Sequence, residues 1–241
     1  MHVTSPSRFA LYFAPPPESV WWGFGSTWLG RDACKGEPLA QPTLRDVDPK
    51  LLAVLTADPR RYGFHATLKA PIRLAPGLER SQLVSSLRAF CATQRAFALP
   101  PLRLARLDHF IALVLAGDSA RIDALAARLV EHFDRFRAAP TAEELARRTE
   151  RPLSPRQRAY LDWWGYPKVF EEYRFHMSLT GDISRTSSVV IDSLFEHVRA
   201  DLEQIGNAPL RVDAVCLFEE PAPGAPFTLT ERIAFGSLAN T

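Results

Sequence analysis

Two seven-residue segments of this 241-residue chain match each other, and the match restricts the architectures that the chain can adopt. Residues 62–68 read Tyr-Gly-Phe-His-Ala-Thr-Leu, and residues 173–179 read Tyr-Arg-Phe-His-Met-Ser-Leu. Tyr, Phe, His and Leu are identical in position, and Thr67 corresponds to Ser178. Because internal repeats are diagnostic of architecture, this match predicts a duplicated structural unit.

The segments that follow the two copies agree as well. Hydrophobic spacing after the first copy predicts a helix over 78–93 and two strands within 97–116. The second copy is followed by a predicted helix over 187–205 and two strands within 210–235. The chain is therefore predicted to be an α+β protein with two pseudo-symmetric β-α-β-β lobes around a central cleft. We expect one bilobal domain over 1–241, with lobe one at about 1–117, connecting helices and an insert at about 118–170, and lobe two at about 171–241.

Local patterns predict the remaining elements. Alternating apolar residues predict a strand over 8–14, ended by three prolines, and strands over 61–70 and 173–180 that carry the repeat. A helix is predicted over 118–137, and only a short helix near 49–57 is expected within 18–60. In the segment 138–170, Thr141 and Glu144 have capping-box spacing, and Ser154 before Pro155 is typical of a helix start.

Side chains alternate between the two faces of a strand, which sorts the repeat residues into two sets. The apolar set is predicted to be buried and comprises Tyr62, Phe64, Ala66 and Leu68, then Tyr173, Phe175, Met177 and Leu179. The opposite face of each strand presents an imidazole, a hydroxyl and a cation: His65, Thr67 and Lys69, then His176, Ser178 and Arg174. If the two lobes face each other, these polar faces meet in one cleft.

Two imidazoles beside two hydroxyls indicate phosphoester chemistry at neutral pH. Histidine titrates near pH 6.5, so one ring can be neutral while the other is protonated. The neutral ring can accept a proton from the attacking water, and the protonated ring can donate one to the leaving oxygen. Hydroxyls and cations can stabilise charge on the phosphate. This scheme requires neither a metal ion nor a cofactor.

Composition and the absence of several sequence motifs argue against other classes of protein. A net charge of +2 argues against binding to nucleic acid through bulk charge, so no DNA partner is expected. The sequence lacks the phosphate-loop, dinucleotide-fold, zincin and nucleophile-elbow motifs. Three widely spaced cysteines without CxxC spacing favour neither a disulfide framework nor a structural zinc site. With no apolar run long enough for a bilayer and no signal-peptide pattern, we expect a cytoplasmic protein without a membrane partner.

The two motifs, His65-Ala66-Thr67 and His176-Met177-Ser178, resemble those of the two-histidine (2H) phosphoesterase superfamily. That superfamily includes RNA 2′,3′-cyclic phosphodiesterases and 2′-5′ RNA ligase-like proteins, and its lobes are ferredoxin-like. Segments 8–15, 28–30, 62–69 and 218–220 are similar to an uncharacterised branch that is often encoded with carbon–phosphorus lyase genes. The insert at 138–170 is larger than in the minimal members of the superfamily, so the substrates of those members do not indicate the substrate of this protein.

The resemblance implies a role for individual residues. His65 and His176 would be the acid–base pair of a phosphoric diester hydrolase, and Thr67 and Ser178 would hold the phosphate. Tyr12 would line the cleft from the first strand. Lys69 and Arg174 are candidate substrate contacts, but an equally good interpretation is that each is a solvated charge at the end of a strand. The branch implies a small substrate, a ribose cyclic phosphate formed during phosphonate breakdown.

Several alternatives stay open at this point. The enzyme could be a 2′,3′-cyclic phosphodiesterase that acts on nucleotides or RNA ends, with short RNA as a partner. The scaffold could also be a non-catalytic nucleotide- or RNA-binding module, or the two histidines could ligate a metal. The arginines of residues 147–158 alternate with glutamates, which favours a solvated helix face over a lid that contacts an anionic substrate. The sequence fixes neither which histidine is the base nor the oligomeric state.

Overall fold

The computed structural model describes residues 7–206 and 208–236. Over these residues the chain is α+β, with one large antiparallel sheet and helices packed against it, as predicted. The strands in the described residues are β1 (Arg8–Phe13), β2 (Arg31–Asp32), β3 (Glu37–Pro38), β4 (Ala66–Arg73), β5 (Phe97–Ala98), β6 (Leu102–Leu107), β7 (Phe110–Leu115), β8 (Met177–Ser178), β9 (Arg211–Val212), β10 (Ala214–Glu220) and β11 (Thr228–Ala234). The α-helices there are α1 (Val20–Leu29), α2 (Pro49–Leu55), α3 (Ala57–Tyr62), α4 (Arg80–Ala92), α5 (Ala120–Phe133), α6 (Ala142–Thr149), α7 (Pro155–Trp164) and α8 (Ser188–Ile205).

The large sheet has the strand order β11-β10-β1-β4-β8-β7-β6, and its two repeat strands lie next to each other. Ala66 of β4 pairs with Met177 of β8, and these residues occupy the same position in the two copies of the repeat. A second antiparallel pair joins Phe97 of β5 to Val212 of β9, which also follow equivalent helices. Pairing between equivalent elements is what a local twofold axis between the two halves produces.

The strand hairpins are exchanged between the two halves of the sheet. The β6–β7 hairpin follows the first copy along the chain, but β7 pairs with β8 of the second copy. The β10–β11 hairpin follows the second copy, but β10 pairs with β1, which in turn pairs with β4. Helix α4 contacts β11, and α8 contacts β6. Each half of the sheet is therefore completed by a hairpin from the other half of the sequence.

The sheet separates two apolar clusters. The larger one lies under α4, α5 and α8 and receives alternate residues of β1, namely Phe9, Leu11 and Phe13. The smaller one lies on the opposite face and receives Tyr12 together with Phe218 and Phe227. This division follows from the alternation of side chains along a strand, and it places Tyr12 on the face predicted from the sequence.

The helix predictions outside 18–60 are confirmed within a few residues. The Thr141 hydroxyl accepts from the Glu144 amide, and the Glu144 carboxylate accepts from the Thr141 amide, which completes a capping box on α6. Ser154 caps α7 in the same way, with Pro155 in the first turn. Buried Leu83 and Leu87 face the core from α4, as their spacing predicted.

One helix was not predicted, and two predicted strands were wrong in extent. Helix α1, within 18–60, was not predicted, because its glycines and tryptophans lack a clear polar face; Gly25 in fact gives the Phe64 ring room to approach the helix. The strand predicted over 61–70 starts at Ala66 and runs through Pro71 to Arg73. Pro71 is tolerated because the β1–β4 pairing shifts register there, so no ladder bond needs its missing amide hydrogen. The strand predicted over 173–180 is only Met177–Ser178.

Helices that combine the length and the apolar character needed to cross a membrane do not occur in the described part of the chain.

Candidate active site

The two His-x-Thr/Ser motifs lie side by side at the centre of the sheet. The antiparallel register around the Ala66–Met177 pair sets His65 beside Ser178 and Thr67 beside His176. All four polar side chains are partly exposed, whereas Ala66 and Met177 are fully buried. The structure thus brings together two imidazoles and two hydroxyls that are more than a hundred residues apart in the sequence.

Both imidazoles are held by the same backbone hydrogen bond. His65 Nδ1 lies 2.9 Å from the Gly63 carbonyl oxygen, and His176 Nδ1 lies 2.8 Å from the Arg174 carbonyl oxygen. Because a carbonyl oxygen can only accept, each Nδ1 carries a hydrogen and each neutral ring has its lone pair on Nε2. His65 Nε2 lies 3.2 Å from the Thr67 hydroxyl. Each ring is therefore oriented to exchange protons through Nε2.

A glycine turn positions the first histidine. Gly63 has a φ of 81°, and a Cβ at this position would lie 2.5 Å from the Ala33 side chain. This turn breaks the strand before His65 and changes the position of Tyr62, which was predicted to be buried on the apolar face. Tyr62 is instead partly exposed at the end of α3, stacks on Phe227 at 5.1 Å between ring centroids, and lines the site.

Burial and charge keep both imidazoles neutral in the absence of a bound anion. Burial, with a smaller contribution from the nearby His176, lowers the pKa of His65 to about 4 against the opposing effect of the hydrogen bond to Gly63. Burial likewise lowers the pKa of His176, with a smaller lowering effect from Lys168. A negatively charged ligand between the rings would favour their protonated forms.

The main cleft is a cavity of about 350 Å³ beside the motifs. One wall carries His65, Thr67 and Ser178, with Tyr12 behind His65. The lining also includes charged residues from β1 and α6, namely Arg8, Glu144, Arg147 and Arg148, together with Tyr166. A side groove of about 220 Å³ adjoins it, is also lined by Thr67, and contains His176, Phe110, Lys168 and Arg174.

Sequence reasoning did not identify the three cleft arginines as site residues. Arg8 lies within segment 8–15, which is similar to the uncharacterised branch, and this similarity is the sequence feature that could have indicated a role for Arg8 in the site. Arg147 and Arg148 belong to the insert, for which the solvated helix face was the favoured interpretation. Arg148 instead lines the main cleft and donates to the Gly165 carbonyl oxygen, so the lid interpretation fits this residue better.

A buried carboxylate fixes Arg8 at the cleft. The Glu220 side chain is fully buried and pairs with both Arg8 and Arg61. It also accepts a hydrogen bond from the Gly224 amide at 3.0 Å. Burial acts to raise the pKa of Glu220, but the hydrogen bonds from Arg8 and Arg61 outweigh it, so the pKa is lowered. Glu220 is therefore ionised and holds two guanidinium groups at the edge of the site.

The two cations expected beside the histidines take different positions. Lys69 does not line the cleft with His65, because a bulge between the Leu11–Lys69 and Tyr12–Thr67 pairs turns it to the core face with Leu11. There its ammonium group is 3.1 Å from the Val130 carbonyl oxygen and 3.6 Å from Asp134. Arg174 is exposed, donates to the Glu171 and Tyr173 carbonyl oxygens, and lines the side groove with His176.

Among residues 7–206 and 208–236, no group of three or more His, Cys, Asp or Glu side chains is placed to hold a metal ion. The histidine pair therefore lacks a third protein ligand of these types nearby in that part of the chain.

Comparison with known proteins identifies relatives of this chain. It is 44% identical over 236 residues to a ribose 1,5-bisphosphate phosphokinase PhnN of Janthinobacterium sp. (strain Marseille), covering 96% of this chain and 51% of the relative. It is 36% identical over 229 residues to the protein of the same name from Laribacter hongkongensis (strain HLHK9), covering 94% and 51%. The chain thus spans about half the length of these relatives.

Solved structures with some similarity include a phosphoesterase and E. coli LigT in complex with 3′-AMP. Their sequence identities are 13% and 15%, each match covers 97% of this chain and 100% of the other, and both TM-scores are 0.45. A family model described as "Protein of unknown function (DUF1045)" matches residues 67–228, which include most of the first motif strand and all of the second. The chain belongs to this DUF1045 family.

Proposed function

We propose that this protein is a metal-independent phosphodiesterase that hydrolyses a small cyclic phosphodiester to a phosphomonoester. The observation that carries the proposal is the position of His65 and His176, each directly before one of two adjacent strands and each with Nδ1 bound to a backbone carbonyl. This arrangement leaves two Nε2 atoms for proton transfer at one site. The adjacent Thr67 and Ser178 hydroxyls supply hydrogen-bond donors for the phosphate.

The proposed reaction is an in-line displacement at phosphorus. His65, whose pKa of about 4 keeps it neutral, accepts a proton from water on Nε2 while the water oxygen forms a bond to phosphorus. His176, protonated in the presence of the anionic substrate, donates its Nε2 proton to the leaving ring oxygen as the phosphorus–oxygen bond breaks. The products are a phosphomonoester and a free hydroxyl. One proton has moved onto His65 and one has left His176, and exchange with solvent restores the starting state.

A phosphorylated ribose is the substrate class that we propose. The two curated relatives are named for ribose 1,5-bisphosphate, and the resemblance to the branch encoded with carbon–phosphorus lyase genes points to a ribose cyclic phosphate. A main cleft of about 350 Å³ is in the size range of pockets for small molecules. These considerations support a role in phosphonate catabolism.

One observation favours a nucleoside 2′,3′-cyclic phosphate as the second candidate substrate. The side groove next to His176 is lined partly by the apolar and aromatic residues Phe110, Tyr166 and Val169. Aromatic side chains stack on bases with little sequence preference. A base in this groove would place its ribose near Thr67, at the junction with the main cleft.

The test is turnover of purified protein on ribose 1,2-cyclic phosphates and on nucleoside 2′,3′-cyclic phosphates, with and without a metal chelator. We expect chelator-resistant hydrolysis that His65→Gln and His176→Gln each reduce by about 10²–10⁴-fold. His132→Gln is the matched control, because His132 is exposed on α5 and does not line the cleft. Binding of these compounds without turnover would instead identify a binding module, and loss of activity with chelator would overturn the metal-free mechanism.

A further inference from the structure

We propose that the substrate carries a second phosphate group, remote from the reacting one, which binds at Arg8, Arg147 and Arg148 in the main cleft. This inference rests on the proposed function and specifies its substrate class. The three arginines come from β1 and α6, whereas the groups proposed to act on the reacting phosphate lie on β4 and β8 or directly before these strands. The three arginines form what we call the cationic wall of the main cleft, and they are separate from the motif residues His65, Thr67 and Ser178 that also line it.

Arg148 is the central residue of the cationic wall. It is partly buried, and its guanidinium group donates to the Gly165 carbonyl oxygen and lies 6.0 Å from the centre of the Tyr166 ring. Salt bridges to Arg147 or Arg148 are absent over residues 7–206 and 208–236. Burial acts first to lower the pKa of Arg148, and Glu144 only partly offsets this effect. A buried cation with incomplete compensation gains free energy when an anion binds.

The acidic groups near the cleft are engaged elsewhere. Glu144, the one carboxylate among the described residues that line the main cleft, is paired with Arg73 at 3.1 Å. Glu220 is buried behind Arg8 and is shared with Arg61. The lining of the main cleft therefore carries three guanidinium groups against one carboxylate that is already neutralised.

The number of charges argues for a second phosphate. A cyclic phosphodiester carries a single negative charge, and the two histidines and two hydroxyls suffice to bind and cleave it. A terminal phosphomonoester is close to a dianion at neutral pH and accepts bidentate hydrogen bonds from guanidinium groups. Within the part of the chain that the structure describes, Arg147 and Arg148 have no carboxylate partner, and Glu220 holds Arg8 in place beside them. Together these guanidinium groups match a phosphomonoester in charge and in number of donors.

The experiment compares a matched pair of substrates, ribose 1,2-cyclic phosphate with and without a phosphate on the 5-hydroxyl. The measured quantity is the ratio of kcat/KM for the two compounds. Hydrogen bonds between a phosphate and charged donors raise kcat/KM by about tenfold or more. We therefore expect wild type to prefer the phosphorylated compound by at least about tenfold. In Arg148→Gln the ratio should fall towards one, mainly through KM. Arg158→Gln is the control, because Arg158 is an exposed insert arginine that does not line the cleft.

A binding measurement separates this inference from the proposed function. Calorimetry with ribose 1,5-bisphosphate and ribose 1-phosphate reports on the cationic wall even if neither cyclic compound is hydrolysed. Tighter binding of the bisphosphate by wild type, lost in Arg148→Gln and kept in Arg158→Gln, would support the inference whatever the outcome of the turnover assay. Equal binding of the two compounds by wild type, or an unchanged preference in Arg148→Gln, would overturn it.

Discussion

The His65 ring lies face to face with the Tyr12 ring, with 3.7 Å between the ring centroids and 21° between the planes. Tyr12 is almost fully buried, and its ring is itself supported by Phe218 at 5.1 Å. The imidazole is therefore held from one side by an aromatic ring and from its Nδ1 atom by the Gly63 carbonyl oxygen. These two contacts limit the orientations available to the ring before any substrate binds.

Replacement of Tyr12 tests this support. Tyr12→Leu removes the stacked ring, and aromatic pairs are worth about 0.5–1.5 kcal/mol beyond their burial, so we expect kcat/KM to fall by about 2–10-fold. The variant also exposes His65 to water, which should move its pKa up from about 4 towards the ordinary value; NMR titration measures this. Tyr12→Phe keeps the ring and should lose less. An equal loss in both variants would assign the effect to the hydroxyl instead.

The low pKa of His65 predicts a loss of stability in acid. The folded pKa of about 4 lies below the value near 6.5 of an unfolded chain, so between these values the unfolded state binds the extra proton. The free energy of unfolding should therefore fall as the pH is lowered through this window. His65 would contribute on the order of 3 kcal/mol to this fall, at about 1.4 kcal/mol per pKa unit. Denaturant unfolding of wild type and His65→Gln should give a shallower pH dependence for the variant. Parallel curves would contradict this assignment.

The rate of hydrolysis should depend on pH as a bell. One imidazole must be neutral while the other is protonated, and burial lowers the pKa of both in the free protein. The maximum of kcat/KM is therefore expected below about pH 6.5. The bound phosphate stabilises protonated His176, so the alkaline limb of kcat should lie at higher pH than that of kcat/KM. A rate that is flat from about pH 5 to 9, with chemistry limiting, would exclude paired acid–base roles.

Removal of the buried charge at Glu220 should destabilise the protein strongly. Glu220→Gln leaves Arg8 and Arg61 without their shared carboxylate, and breaking a buried ion pair costs about 3–5 kcal/mol. Glu219→Gln is the matched control. The ion pair of Glu219 with Arg80 is partly exposed, so its loss should lower the free energy of unfolding by about 1 kcal/mol or less. Denaturant midpoints measure both values. Similar losses in the two variants would show that burial does not set the cost at Glu220.

Lys69 should be dispensable for phosphate chemistry. The bulge that turns it to the core face places its ammonium group at Val130 and Asp134 rather than in the cleft. Lys69→Met keeps most of the side-chain volume, so we expect kcat/KM to stay within about threefold of wild type, a change smaller than 1 kcal/mol. Steady-state kinetics on the best cyclic phosphate tests this expectation. A loss of kcat/KM comparable to that of His65→Gln would show that Lys69 takes part in the reaction.

The sequence was most informative where local chemistry decides the structure. The repeat predicted equivalent positions for His65 and His176, and the pairing of Ala66 with Met177 places them so, each directly before its strand. The spacing of Thr141 with Glu144 predicted a helix start, which the capping box on α6 confirms. The position of Lys69 could not be predicted, because the bulge arises from the pairing of β4 with β1, which is distant in sequence. The exchange of hairpins is equally non-local, since nothing in residues 102–115 specifies that β7 pairs with β8.

The pairing of Ala66 with Met177 has a consequence for substrate orientation. A phosphorus atom on the axis between these residues would meet an imidazole and a hydroxyl from either side, so the duplicated parts alone offer two equivalent ways to bind a ring. Only features without a counterpart in the other copy can select one of them. These are the Tyr12 ring against His65, the Phe110 ring 5.6 Å from His176, and the inserted segment, which contributes different residues to the main cleft and to the side groove. The features that differ between the two halves, and not the repeated motifs, therefore determine which ester bond of the substrate breaks.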